Sequence, residues 1–111
     1  MDEMVRVGSA ADGTLDVALF GDIDYTNSPA LTRLVNDAVT RRRPPVVKVD
    51  ISAVTFLDSS GLGVLVVAYR AAAAIGAGYQ VTGPRRGVYE QLRMAGLVDL
   101  FGIDAPPATV S

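Results

Sequence analysis

The sequence predicts a single α/β domain, with a mixed central sheet of four to five strands and helices packed against it. Three observations carry that prediction. Short β-branched runs alternate with segments of helical apolar spacing, which makes the flanking strands parallel and lays the helices on the sheet. A turn signal between the first two runs adds an antiparallel pair at the start. The 111 residues contain no repeat, low-complexity block or dividing linker, and their half-apolar composition can fill one core without metals or disulfides.

Met4-Val5-Arg6-Val7 and Thr14 to Phe20 read as strands, joined through Asp12-Gly13, a pair that favours the positive backbone angles of a hairpin. After Gly21-Asp22-Ile23-Asp24, Ser28-Pro29 reads as a helix opening with Ser28 as cap and Thr26 as its rival. Leu31, Leu34, Val35, Ala38 and Val39 mark the apolar face of that helix. Arg41-Arg42-Arg43 complements the carboxyl end of its dipole, and Pro44-Pro45 stops it.

Val46 to Ile51 is short and nearly all apolar, which predicts a central strand covered on both faces. Asp58-Ser59-Ser60-Gly61 leads into a second helix with Leu62, Leu65, Val66, Tyr69, Ala72, Ala73 and Ile75 as its apolar positions, closing near Gly76 and Gly78. Tyr79 to Thr82 is a further strand. Gly83-Pro84 turns into a third helix carrying Val88, Leu92 and Met94, with Gly96 as its left-handed cap and a short strand at Leu100 to Ile103. The expected division is a domain over 1–104 and a loose tail over 105–111.

Composition narrows the function classes. The chain has no cysteine and no histidine, which removes thiolate nucleophiles, zinc sites built on those residues, and a serine activated by imidazole. Its one lysine, Lys48, lies in the predicted central strand, so a serine hydrolase built on Ser59 lacks a base. Ten Lys and Arg against twelve Asp and Glu give a net charge of −2, too mild and mixed to predict direct binding of nucleic acid. Gly61-Leu62-Gly63 does not extend to a dinucleotide fingerprint, because Val66 occupies the third glycine position. No cofactor is expected. The acidic opening Met1-Asp2-Glu3 lacks the apolar core of a secretory signal, so the expected compartment is the cytoplasm. Gly61 to Tyr79 invites a membrane-span reading, but a central arginine costs about 2.5 to 3.5 kcal/mol there and Arg70 supplies one, so no membrane association is expected.

The segment that bears chemistry is Phe56-Leu57-Asp58-Ser59-Ser60-Gly61-Leu62-Gly63, between a buried strand and an apolar helix. That end of a strand is where α/β sheets usually meet ligands and partners. Asp, Ser and Gly are also ordinary residues of a turn and a cap, and local pattern alone leaves both readings open.

These eight residues closely resemble the signature of the STAS domain family, in particular its anti-sigma-factor antagonists. Gly21 to Asp24 is similar to the family's turn before the first helix, Val46 to Asp50 to its central strand, and Leu92 to Leu97 to the end of its last helix. The likeness covers about residues 5 to 103 in the right order. It departs at Gly21-Asp22, where Gly-Glu is commoner, and at Tyr25, where polar residues are frequent.

The resemblance implies that Ser59, rather than Ser60, is a phosphoacceptor and that the kinase is the anti-sigma factor itself. Unmodified protein would bind that anti-sigma factor serine kinase and free a sigma factor, and a serine/threonine phosphatase would reset the phosphorylated form. Asp24 and Asp58 would lie near the phosphosite, as acidic neighbours or as turn and cap residues. Ser60, Gly61, Leu62 and Gly63 complete the expected partner-binding neighbourhood, the glycines allowing close approach to the sheet or to the partner. The alternative is a STAS scaffold, or a regulatory subunit of a lipid transporter or signalling assembly, that is not phosphorylated. Oligomeric state is not legible in the sequence.

Overall fold

The computed structural model describes residues 4–106, and the remainder of the expected tail, 107–111, lies outside the described residues. The elements run β1 (Val5–Ser9), β2 (Leu15–Ile23), α1 (Ser28–Arg42), β3 (Val46–Leu57), α2 (Ser59–Ala74), β4 (Gly78–Thr82) and α3 (Arg86–Met94). They form a mixed four-stranded sheet in the order β1-β2-β3-β4, with β1 antiparallel to β2 and the other pairs parallel. The hairpin between β1 and β2 turns at Gly13, whose φ of 89° is open to glycine at no steric cost.

Right-handed crossovers progressing one way across β2, β3 and β4 put α1 and α2 on the same face, where they pack against each other. Leu15, Val17, Leu19, Val47, Val49, Ile51 and Val81 point into that layer. Asp16, Lys48, Asp50 and Ser52 point the other way and are exposed. β3 is therefore central, but the expectation of cover on both faces is corrected: its apolar run is interrupted by charges that face water.

β3 is also twice the expected length. Between its pairings with Leu15 and Ile23 it carries two more residues than β2, taken up at irregularities between Ala18 and Phe20 and between Gly21 and Asp22. Such bulges bend a strand and re-aim its end. Here the bent end is Leu57, where the chain enters α2.

Several local expectations are corrected. Neither Ser28 nor Thr26 caps α1: Asn27 holds the cap position without a side-chain cap bond, Ser28 is the buried first helical residue, and Pro29 follows it. Asn27 is drawn backward instead, its amide accepting from the Asp24 N–H and donating to the Asp22 carbonyl. On α1, Leu31, Val35 and Val39 are buried while Leu34 is 42% exposed. The buried side of α2 consists of Gly61, Val64, Leu65, Ala68, Ala71 and Ala72, so the helix is rotated from the expected phase; Leu62 and Val66 are half-buried and Ala73 is exposed. On α3, Val88 and Leu92 are buried but Met94 is 82% exposed.

No strand forms at Leu100 to Ile103. Phe101 and Ile103 are buried there, and the Phe101 carbonyl accepts from Val81 N–H on β4, but Gly102 takes a φ of 62° and the segment is held in turns by bonds back to Leu97, Val98 and Asp99. Phe101 packs edge-on against Tyr79, and Tyr69 completes the aromatic cluster. The Tyr79 hydroxyl, its ionisation suppressed by burial, donates to the Leu65 carbonyl and ties β4 to the middle of α2. Among the described residues, no helix is long and apolar enough to cross a membrane.

Candidate functional site

β2 and β3 run parallel and end opposite each other, Ile23 paired with Leu57. Asp24 and Asp58, one residue beyond those ends, consequently leave the sheet at the same edge. The Asp58 N–H donates to the Ile23 carbonyl at 3.2 Å, which joins the two exits.

Asp58 caps α2. Its backbone is extended, and its Oδ1 accepts from the Gly61 N–H at 2.9 Å and from the Ser60 hydroxyl. The Ser60 hydroxyl followed by the Gly61 amide holds the Asp58 carboxyl below the usual carboxylate range. At Asp24 the Thr26 hydroxyl and then the Thr26 N–H do the same, with the nearby Asp58 charge opposing them. Both are thus carboxylates at neutral pH, and neither owes its low pKa to a cation.

Ser59 is the first residue of α2 and is exposed. Ser60 is half-buried and donates to Asp58. Among the described residues, no hydrogen bond engages the Ser59 hydroxyl, so the two adjacent serines have different surroundings: one tied, one offered to solvent. The chain has no histidine, and carboxylates with lowered pKa are weak bases, so among the described residues no strong base stands beside Ser59 to activate its oxygen.

The glycines differ too. A Cβ on Gly61 would stand 2.7 Å from the Ile23 carbonyl oxygen and 2.9 Å from Leu57 Cδ2, so glycine there lets α2 sit directly on the sheet. At Gly63 a Cβ would meet nothing within 4 Å. Glycine inside a helix costs about 0.8 to 1 kcal/mol relative to alanine, and among the described residues no close contact offsets that cost at Gly63. Leu62, half-buried between them, donates its N–H to the Asp58 carbonyl at 3.0 Å.

All seven sequence-predicted residues thus fall on one edge: Asp24 at the exit of β2, and Asp58, Ser59, Ser60, Gly61, Leu62 and Gly63 at the start of α2. Four others were not singled out for the site. Tyr25, next to Asp24, is 76% exposed, and its backbone also draws on the Asp58 carboxylate. Thr55 donates to Asp22 across the strand ends, and Gln91 of α3 donates to the Leu57 carbonyl at 2.7 Å. Tyr25 carries a sequence signal, a large aromatic in a polar turn; Gln91 carries none, because its partner lies 34 positions away. A concavity of about 430 Å³ lies elsewhere, on the bare face of the sheet between Arg6, Asp16, Lys48, Asp50 and Thr82.

Comparison with known proteins places these features in context. A family model described as the STAS domain matches residues 9–109. An anti-sigma F factor antagonist of Paenibacillus polymyxa is 30% identical over 91 residues, covering 82% of this chain and 78% of that protein. Among solved structures, an anti-sigma factor antagonist from Mycobacterium paratuberculosis superposes with a TM-score of 0.81 at 28% identity, over 93% of this chain and 86% of that one. The Bacillus cell fate determinant SpoIIAA in its phosphorylated form shares the fold, with a TM-score of 0.71 at 17% identity over 92% of this chain and 90% of that one.

Proposed function

Because this chain belongs to the STAS domain family, in its anti-sigma-factor-antagonist branch, we propose that it is a partner-switching regulator controlled by phosphorylation of Ser59. The unmodified protein binds an anti-sigma factor that is also a serine kinase, and a sigma factor is released. In the kinase complex the Ser59 hydroxyl oxygen attacks the γ-phosphorus of ATP, the bond to ADP breaks, and a base on the kinase takes the hydroxyl proton. A serine/threonine phosphatase hydrolyses the phosphoserine and restores binding. The cycle takes place in the cytoplasm and needs no direct contact with nucleic acid.

The observation that carries this reading is the contrast between the two serines: Ser59 stands exposed and unengaged at the mouth of α2, while Ser60 is held by the capping carboxylate. Phosphate would add roughly −1.5 to −2 charge at pH 7. A helix amino terminus favours an anion by only about 0.3 to 1 kcal/mol when exposed, so the domain tolerates the group, and a chain of the same fold has been solved in a phosphorylated form. A docked partner has no such tolerance, since an unpaired charge taken from water costs several kcal/mol. Moving the complex from 99% to 1% occupancy needs about 5.5 kcal/mol, within reach of one dianion beside the Asp58 carboxylate.

The test is incubation of the chain with candidate anti-sigma factor kinases and ATP, followed by mass spectrometry. A phosphate on Ser59, tight binding by Ser59→Ala and weak binding by Ser59→Glu are the expected results. Equal affinity of the two variants, or no phosphate on the wild-type chain, would sink this reading and favour a scaffold or a transporter-regulating role.

A further inference from the structure

We infer that Gly63 is a specificity-determining residue for the phosphorylation of Ser59: its missing side chain is the clearance through which the kinase surface closes on the first turn of α2. The inference rests on the proposed function above and extends it to the shape of the contact.

The fold itself gives no reason for glycine at this position. Gly63 does not have a positive φ, unlike Gly13, Gly21, Gly76, Gly83, Gly96 and Gly102. It does not support a close approach within the chain, unlike Gly61, whose Cβ would strike the Ile23 carbonyl. It lies inside α2, where alanine would stabilise the helix. Gly63 is half-buried, yet the space that a side chain would occupy holds no other described atom within 4 Å.

Position supplies the reason. Residues four apart lie one above the other on a helix face, so Gly63 sits one turn beyond Ser59 on the side that carries the free hydroxyl. A kinase that brings ATP to that oxygen must come down along the same face. With no Cβ at Gly63 the incoming surface can lie against the α2 backbone, and a flush contact of that kind has no volume for a phosphate one turn away. Exclusion of the phosphorylated chain is then steric as well as electrostatic.

The test uses the full chain and the kinase that phosphorylates it, with Gly63→Ala, Gly63→Val and the control Gly8→Ala, whose Cβ would also meet nothing within 4 Å but which lies on β1 away from the site. Gly63→Ala should raise the melting temperature by about 4 °C. In the same variant KM for phosphorylation and Kd for the kinase should rise about tenfold, and further in Gly63→Val, as expected of an overfilled contact. The kcat at saturation should stay near wild type, since Ser59 itself is unchanged. Gly8→Ala should leave KM and Kd unaltered. Raising the salt concentration should not restore kinase binding to the phosphorylated chain. Wild-type KM in both Gly63 variants, or a fall in melting temperature in Gly63→Ala, would overturn the inference while leaving the proposed function standing. Failure of every candidate kinase to phosphorylate the wild-type chain would overturn both.

Discussion

The carbonyl oxygen of Ile23 lies 2.7 Å from the point where a Cβ on Gly61 would stand, and the same oxygen accepts the Asp58 N–H. One backbone atom at the end of β2 thus seats the first turn of α2 and holds Ser59 at the sheet edge. Gly61→Ala would have to lift the helix off an atom that cannot move aside. The expected cost is about 1 to 3 kcal/mol, read from urea unfolding, and phosphorylation should fall with it because the acceptor is displaced.

Asp58→Ala removes the acceptor of both the Gly61 amide and the Ser60 hydroxyl. The melting temperature should drop by a few degrees at neutral pH. The pH dependence has a definite sign: because the folded chain holds the Asp58 carboxyl below its unfolded value, its stabilisation is fully present above about pH 4 and is lost as pH falls through the lower folded value. The gap between wild type and variant should therefore close on acidification. A gap that widened toward low pH would contradict the capping role.

Aspartate at Leu65 and at Leu62 separates the two sides of α2. Leu65 is completely buried, so Leu65→Asp puts an unpaired charge in the core and should abolish cooperative unfolding. Leu62 is half-buried, and Leu62→Asp should fold with reduced stability. Circular dichroism during heating distinguishes them.

Arg43 ends α1 with φ 45° and ψ 57°, a left-handed conformation that costs a non-glycine residue roughly 1 to 2 kcal/mol. Arg43→Gly should stabilise the domain by about 0.5 to 1 kcal/mol after glycine's greater unfolded freedom is counted. An increase in urea midpoint without a change in slope is the expected signature.

The meeting of Asp24 and Asp58 was legible in the sequence, because parallel strands separated by a helix end at the same edge and the two acids follow β2 and β3 directly. The phase of α2 was not. It is so rich in Ala, Val and Leu that several faces look equally apolar, and the sheet selects the one containing Gly61, Val64, Leu65 and Ala68. The Leu100 to Ile103 segment looked like a strand because Phe101 and Ile103 alternate, yet a turn buries the same two residues once Gly102 adopts a positive φ. Met94 shares its apolar character with Leu92 but stands two residues on, which on a helix is nearly the opposite side. The different surroundings of Ser59 and Ser60 could not be read either, since they depend on which hydroxyl the Asp58 carboxylate reaches.

The two surplus residues of β3 make that strand a ruler for the placement of Ser59. Side chains alternate along a regular strand, but here Ala53 intervenes between outward-facing Ser52 and inward-facing Val54, and Thr55 and Phe56 are both exposed before inward-facing Leu57, so each bulge adds a residue without exchanging inside for outside. Deleting one residue there would straighten the strand and shorten its reach by about 3.3 Å, taking Leu57 out of register with Ile23 and shifting Ser59 from the end of β2. Natural variants that gain or lose length should therefore carry those changes in the hairpin near Gly13 or after α3, where the count of residues does not aim a hydroxyl.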